Sequence, residues 1–137
     1  MIRALAANGI SVYAAHMTYD KAPWGNTAAM AGRLGFDGVP APGPAGEPSE
    51  DYSVLLAELA PALTGEELCR LVCARLDIPM GELRYAGNPD IPLSRVLLCA
   101  GGGADLMDKA LGLGCQALVT GDMKYHQALR AAESGFF

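Results

Sequence analysis

The sequence is poor in charge. It has no cluster of lysines or arginines, no paired-cysteine motif and no apolar run long enough to span a membrane. Each shortage removes a class of function. Charged side chains make up 18% of the chain, below the usual quarter of a globular protein. The formal net charge is −5. An acidic chain without basic clusters does not attract a phosphate backbone, so nucleic acid is not expected as a partner. An anionic substrate would need a metal ion or backbone N–H groups to supply positive field.

The four cysteines, Cys69, Cys73, Cys99 and Cys115, form no CxxC and no zinc-knuckle spacing. They read as small buried hydrophobes, and unpaired thiols fit a reducing, cytoplasmic setting. The longest apolar stretches are broken by Gly, Pro or charge, so no membrane partner is expected. The N-terminal stretch lacks the compact apolar region of a signal peptide.

What is present is enough for one folded unit. With 137 residues and 51% hydrophobic composition, the chain can bury a real core as a single α/β unit over residues 1–137. Ile2, Leu5 and Ala6 suit an amphipathic helix stopped by Asn8 and Gly9. Residues 10–15 (ISVYAA) read as a strand and residues 16–25 as a polar loop. Asn26 is placed to cap a helix running to Leu34, with Gly35 as its stop. Residues 38–51 hold four prolines and three glycines and read as a loop.

Residues 52–59 read as a strand. Thr64 and Glu67 then form a capping box opening a helix to Leu76. A weaker strand is predicted over 83–86. The last third alternates most clearly: a buried strand at 95–100, a glycine turn at 101–103 and a helix from Ala104 to Leu113. Another strand follows at 117–120, then a turn at Gly121-Asp122 and a helix over 123–133. That alternation predicts a mixed, largely parallel sheet flanked by helices. Ser134-Gly135-Phe136-Phe137 looks like the opening of a further strand, and the chain is expected to be a portion of a larger domain.

Chemistry in such folds collects at the carboxyl ends of strands. Gly101, Gly102 and Gly103 let the backbone approach a ligand and aim N–H groups at an anion, although a tight turn is the plainer reading. The chain has only two histidines. His16 precedes Asp20 by four residues, and His126 follows Asp122 by four. Both pairs come after expected strand ends, Asp122 and His126 being expected on one helix face. Carboxylate oxygen with imidazole suits a divalent first-row metal. The competing reading makes each Asp a helix cap and each His a surface residue. Lys124 could meet a phosphate or be a solvated surface lysine.

At these residues the chain resembles the NIF-three-like family, also described as GTP cyclohydrolase I type 2 homologues or dinuclear metal centre proteins. Residues 10–20 (ISVYAAHMTYD), Gly25-Asn26 and Leu34-Gly35 are similar to the pattern Y-x-x-H-T-N-x-D, G-x-N and L-A-x-x-L-G. Met17 and Tyr19 depart from it. Residues 95–103 (RVLLCAGGG) and 114–126 (GCQALVTGDMKYH) are similar to a second pattern, R-V-A-x-C-x-G-x-G followed by G-A-D-x-x-x-T-G-D-x-K-Y-H.

The resemblance implies an α/β fold of two related halves, hexameric rings and two divalent metals (Zn, Mn or Fe) in a cleft. It implies Asp20 as a metal ligand, with His16 beside the site. Gly101, Gly103, Asp122 and His126 would line the same cleft. It places further ligands, an adjacent His-His pair and a Gly-His…Glu pair, outside residues 1–137, so two metals are expected in the complete protein and not in residues 1–137 alone.

The function expected is a metal-dependent hydrolase acting on a small nucleotide-like or phosphate-bearing substrate. His16 or His126 would move a proton, Asp122 would orient the imidazole, and Gly101, Gly103 and Lys124 would contact the ligand. The alternative is a non-catalytic metal-binding scaffold that acts through protein partners.

Overall fold

The computed structural model describes residues 1–137. Its centre is the strand with the longest apolar run. In β3 (Pro92–Gly102) the side chains of Leu93, Val96, Leu97 and Leu98 are all excluded from solvent. Burial of successive residues means that both faces are covered. β2 (Leu55–Thr64) pairs antiparallel with one edge of β3, and β4 (Ala117–Asp122) pairs parallel with the other. β1 (Gly38–Pro40) adds an antiparallel outer strand on β2, giving the order β1-β2-β3-β4.

The expected mixed α/β sheet is therefore present, but its parallel part is confined to β3–β4. β1 lies in the segment read as a loop. Pro40 is accommodated there because an outer strand need not donate every N–H. Pro61 sits where the β2–β3 register shifts, again a place that tolerates a missing donor.

Alternation along the strands builds two apolar layers. Leu55, Ala57, Val96, Leu98 and Ala117 face α3 (Asn26–Leu34) and α4 (Gly65–Leu76), where Ala31, Leu34, Leu68 and Val72 meet them. Leu97 points the other way, to Met107, Ala110, Cys115 and Ala131. These belong to α5 (Met107–Gly112), the loop after it, and α6 (Tyr125–Ser134). A short 3₁₀ turn, Ala104–Leu106, precedes α5, so the predicted helix from Ala104 begins as a tighter coil. All four cysteines are buried and free, as read from the sequence. Burial pushes the Cys99 thiol up, and pushes that of Cys115 up to about 11.

Local signals set the helix ends. The Thr64 hydroxyl accepts from the Glu67 N–H at 3.2 Å, and the Glu67 carboxylate accepts from the Thr64 N–H at 2.7 Å. This is the predicted capping box. Gly35 ends α3 in the left-handed region at φ 80°, as expected. The cap of α3 differs from expectation. Gly25 is the N-cap, and Asn26 is the first helical residue.

Three other readings are corrected. Residues 10–15 join no sheet, and Tyr13 is 79% exposed. Their β-branched composition suits a strand, yet no strand of this chain lies beside them to complete a ladder. Residues 83–86 are not a strand either; Tyr85 instead stacks on Phe137, ring centroids 5.6 Å apart. Residues 16–20 form a short helix, α2 (His16–Asp20), rather than a loop, whereas α1 (Ile2–Ala7) is the helix expected before Asn8.

At the other end Phe137 donates to Gln116 C=O and accepts from Leu118 N–H, both at 2.9 Å. Those two bonds are one parallel bridge to β4, as the strand-like opening suggested. The Phe137 ring lies against Gly65, where a Cβ would come within 2.7 Å of it. At Gly87 a Cβ would strike the backbone of Phe136 and Phe137.

Two outcomes test this account. Thr64→Ala removes the cap of α4 and should cost about 1 kcal/mol, measured by urea unfolding at neutral pH. Bonding to Thr64 holds the Glu67 carboxyl below its usual value of 4.5. Its contribution is therefore complete above that value and lost as pH falls through the lower folded-state one. Glu67→Ala lacks that carboxyl, so the stability gap between parent and Glu67→Ala should narrow in acid.

Candidate functional site at the ends of β3 and β4

The adjacent ends of β3 and β4 are drawn together by glycines and one hydroxyl. Thr120 Oγ1 donates to the Gly101 C=O at 2.7 Å and accepts from the Gly103 N–H at 2.8 Å. Gly101 has φ 86°, which favours glycine. A Cβ on Gly103 would lie 2.7 Å from the Cys99 Cβ. One on Gly121 would lie 3.1 Å from the Gly101 nitrogen. The glycine turn is thus braced from inside. The Gly103 N–H is already used by Thr120 and is not available to an anion, whereas Gly101 borders an open groove.

The first motif reaches the same place through α3. On α2, His16 Nε2 lies 3.6 Å from Asp20 Oδ2, with the imidazole 83% exposed and the carboxylate 19% exposed. That distance is an ion-pair separation and too long for a hydrogen bond. The other carboxylate oxygen, Oδ1, accepts from Asn26 Nδ2 at 2.8 Å. Beyond Asn26 comes Thr27, the sole buried polar side chain, at 1% exposure. Its hydroxyl donates to the Ser53 C=O at 2.9 Å and accepts from the Ala100 N–H at 3.0 Å. Asp20 therefore sits near the end of β3, where its negative charge, after burial, helps to raise the Cys99 thiol.

The second motif is arranged differently from expectation. Asp122 is the last residue of β4, Lys124 is the N-cap of α6, and His126 is the second residue of that helix. Asp122 and His126 do not share a helix face and form no ion pair, unlike His16 and Asp20. All three side chains are exposed. No three of the chain's His, Cys, Asp and Glu side chains converge as a metal cluster. The chain offers one carboxylate flanked by one imidazole, which fits part of a divalent site.

A groove of about 450 Å³ borders this end of the sheet. Met30, Leu68, Tyr85 and Phe137 give it an apolar lining, with Gly101 and Asp122 on its wall.

Reading the sequence by chemistry alone passed over Thr27 and Thr120 as site residues and took Asn26 for a cap. Thr27 left a signal: with Ala31 and Leu34 it shares the buried spacing of α3.

Fold and site together define a mixed α/β protein with a carboxylate–imidazole pair and a braced glycine turn at the carboxyl ends of adjacent strands. The chain belongs to the Duf34/NIF3 (NGG1p interacting factor 3) family, whose model matches residues 1–137. It is 29% identical over 133 residues to a Streptomyces coelicolor protein named GTP cyclohydrolase 1 type 2 homolog, covering 96% of this chain and 47% of that one. It is 30% identical over 135 residues to the Pseudomonas aeruginosa protein of the same name, covering 98% of this chain and 51% of that one. The chain thus spans about half the length of these curated relatives.

Among solved structures it is similar to the Staphylococcus aureus hypothetical protein SA1388, with TM-score 0.80 and 21% identity over 98% of this chain and 56% of that one. It is also similar to the protein ybgI, of unknown function, with TM-score 0.71 and 29% identity over 98% of this chain and 51% of that one. No helix is long and apolar enough to cross a membrane.

The brace can be tested. Thr120→Val keeps the side-chain shape but strands the Gly103 N–H and the Gly101 C=O. It should cost about 1–3 kcal/mol in denaturant unfolding.

Proposed function

We propose that the protein is a metal-dependent hydrolase with a dinuclear divalent centre, acting on a small nucleotide-like or phosphate-bearing substrate. The observation that carries this reading is the Asp20 carboxylate. One oxygen is held by Asn26 and the other is turned toward His16, beside the braced glycine turn. Oxygen and imidazole donors suit Zn, Mn or Fe. When bound, such ions lower the pKa of water and polarise a phosphoryl or carbonyl oxygen.

The chain's own groups supply the rest. Asp20 holds one ion. His16, exposed and next to it, carries a proton between substrate and solvent. His126 is the second candidate for that role. Because it lacks the Asp122 partner, its tautomer is not set by that carboxylate. Gly101 and Asp122 border the groove and meet the substrate there, while Lys124 at the start of α6 reaches a phosphate. The relatives' name, GTP cyclohydrolase 1 type 2 homolog, supports a nucleotide as the substrate class. A ring-shaped hexamer and a cytoplasmic location complete the proposal.

A second reading, a scaffold acting through protein partners, is favoured by a different observation. Val12, Tyr13 and Trp24, in the segments before and after α2, are large apolar side chains left largely in solvent.

Elemental analysis and turnover assays separate the two. For the full-length protein the enzyme reading expects about two divalent ions per chain, lost in Asp20→Ala, and hydrolysis of GTP or a simple phosphoester lost with them. Metal retained without turnover would favour the scaffold. Turnover surviving Asp20→Ala would overturn the assignment of Asp20.

A further inference from the structure

We infer that Asn26 is the positioning residue that orients Asp20 toward a divalent cation and ties it to the glycine turn of the second motif. The inference rests on the reading of Asp20 as a metal ligand.

Asn26 bonds the Asp20 carboxylate where a helix cap was expected. An ionised carboxylate only accepts hydrogen bonds, so the Asn26 amide must be the donor. A neutral donor fixes the geometry of Oδ1 without cancelling the charge, as a lysine or arginine would. Oδ2 has no hydrogen bond in the chain and sits 3.6 Å from His16. The carboxylate is therefore held by one oxygen and presents the other. This is how outer-shell partners commonly prepare a metal ligand.

The amide is held on both sides. At Gly25 a Cβ would run into the carbonyl oxygens of Tyr19 and Asp20, so the start of α3 is pressed onto the end of α2. Immediately after Asn26, the Thr27 hydroxyl joins the Ser53 C=O to the Ala100 N–H. Ala100 is next to Gly101, whose carbonyl is bonded by Thr120. A continuous set of short bonds thus runs from Asp20 through residues 26 and 27 to the end of β3. Motion of Asp20 relative to the glycine turn requires one of them to break. His16, by contrast, is exposed and has no such support.

The test is Mn²⁺ titration by calorimetry of the full-length protein and its Asn26→Leu and Asn26→Ala variants, each also melted without metal. Leucine keeps the approximate shape of asparagine and suits a helix, so Asn26→Leu retains the fold if the smaller side chain does not. The expected result is Mn²⁺ affinity about tenfold weaker in both variants, with melting of Asn26→Leu close to the parent. Parent-like affinity in a variant that melts like the parent overturns the inference. So does weaker affinity that only accompanies a lowered melting temperature, since Asn26 would then be structural. A parent protein that takes up no Mn²⁺ overturns the metal reading itself, and this inference with it.

Discussion

Strand β3 is buried on both faces, and the rest of the structure depends on that burial. Leu97 belongs to one apolar layer, and Val96 and Leu98 to the other. β3 therefore fixes α3 and α4 on one side and α5 and α6 on the other. Burying side chains on the scale of Leu and Val contributes about 1.5–3 kcal/mol each. A polar or shortened residue at the middle of β3 would weaken both layers together. The glycines begin where that run ends, so the rigid strand leads directly into the candidate site.

The polar bonds at the strand ends have a different task from the core. The hydroxyls of Thr27 and Thr120 each accept one backbone N–H and donate to one backbone C=O. Leaving such groups unpaired is costly, so these bonds select one arrangement of the chain ends as well as holding it. Asp20, far from Gly101 in sequence, is placed near it by this means. His126 and Lys124 stand on the first turn of α6 and have fewer constraints. The site has one well-supported side and one open side.

Much of this was legible in the sequence because it was written in local signals. The capping box of Thr64 and Glu67, the Gly35 stop, the buried run of β3 and the strand character of β4 each follow from a few adjacent residues, although in β4 only Ala117 is buried. What was misread depended on distant ones. Residues 10–15 have strand composition, but a ladder needs a neighbour, and composition does not supply one. Asn26 has cap chemistry, but its amide found Asp20. Asp122 and His126 have helical spacing, but β4 extends through Asp122 and the helix starts only at Tyr125. The family motifs brought attention to the right residues, while their geometry came from contacts that spacing does not encode.

The fit of Phe137 against Gly65 and Gly87 bears on which substitutions this protein tolerates during divergence. At residue 65 the neighbour is a ring, so a larger side chain there could be offset by a smaller one at 137, and the two positions are free to drift as a pair. At residue 87 the neighbour is main chain, which has no smaller version. No exchange at 136 or 137 makes room, and the left-handed φ of 93° at Gly87 adds a second objection to any side chain. One glycine is thus half of an exchangeable pair. The other is fixed by itself.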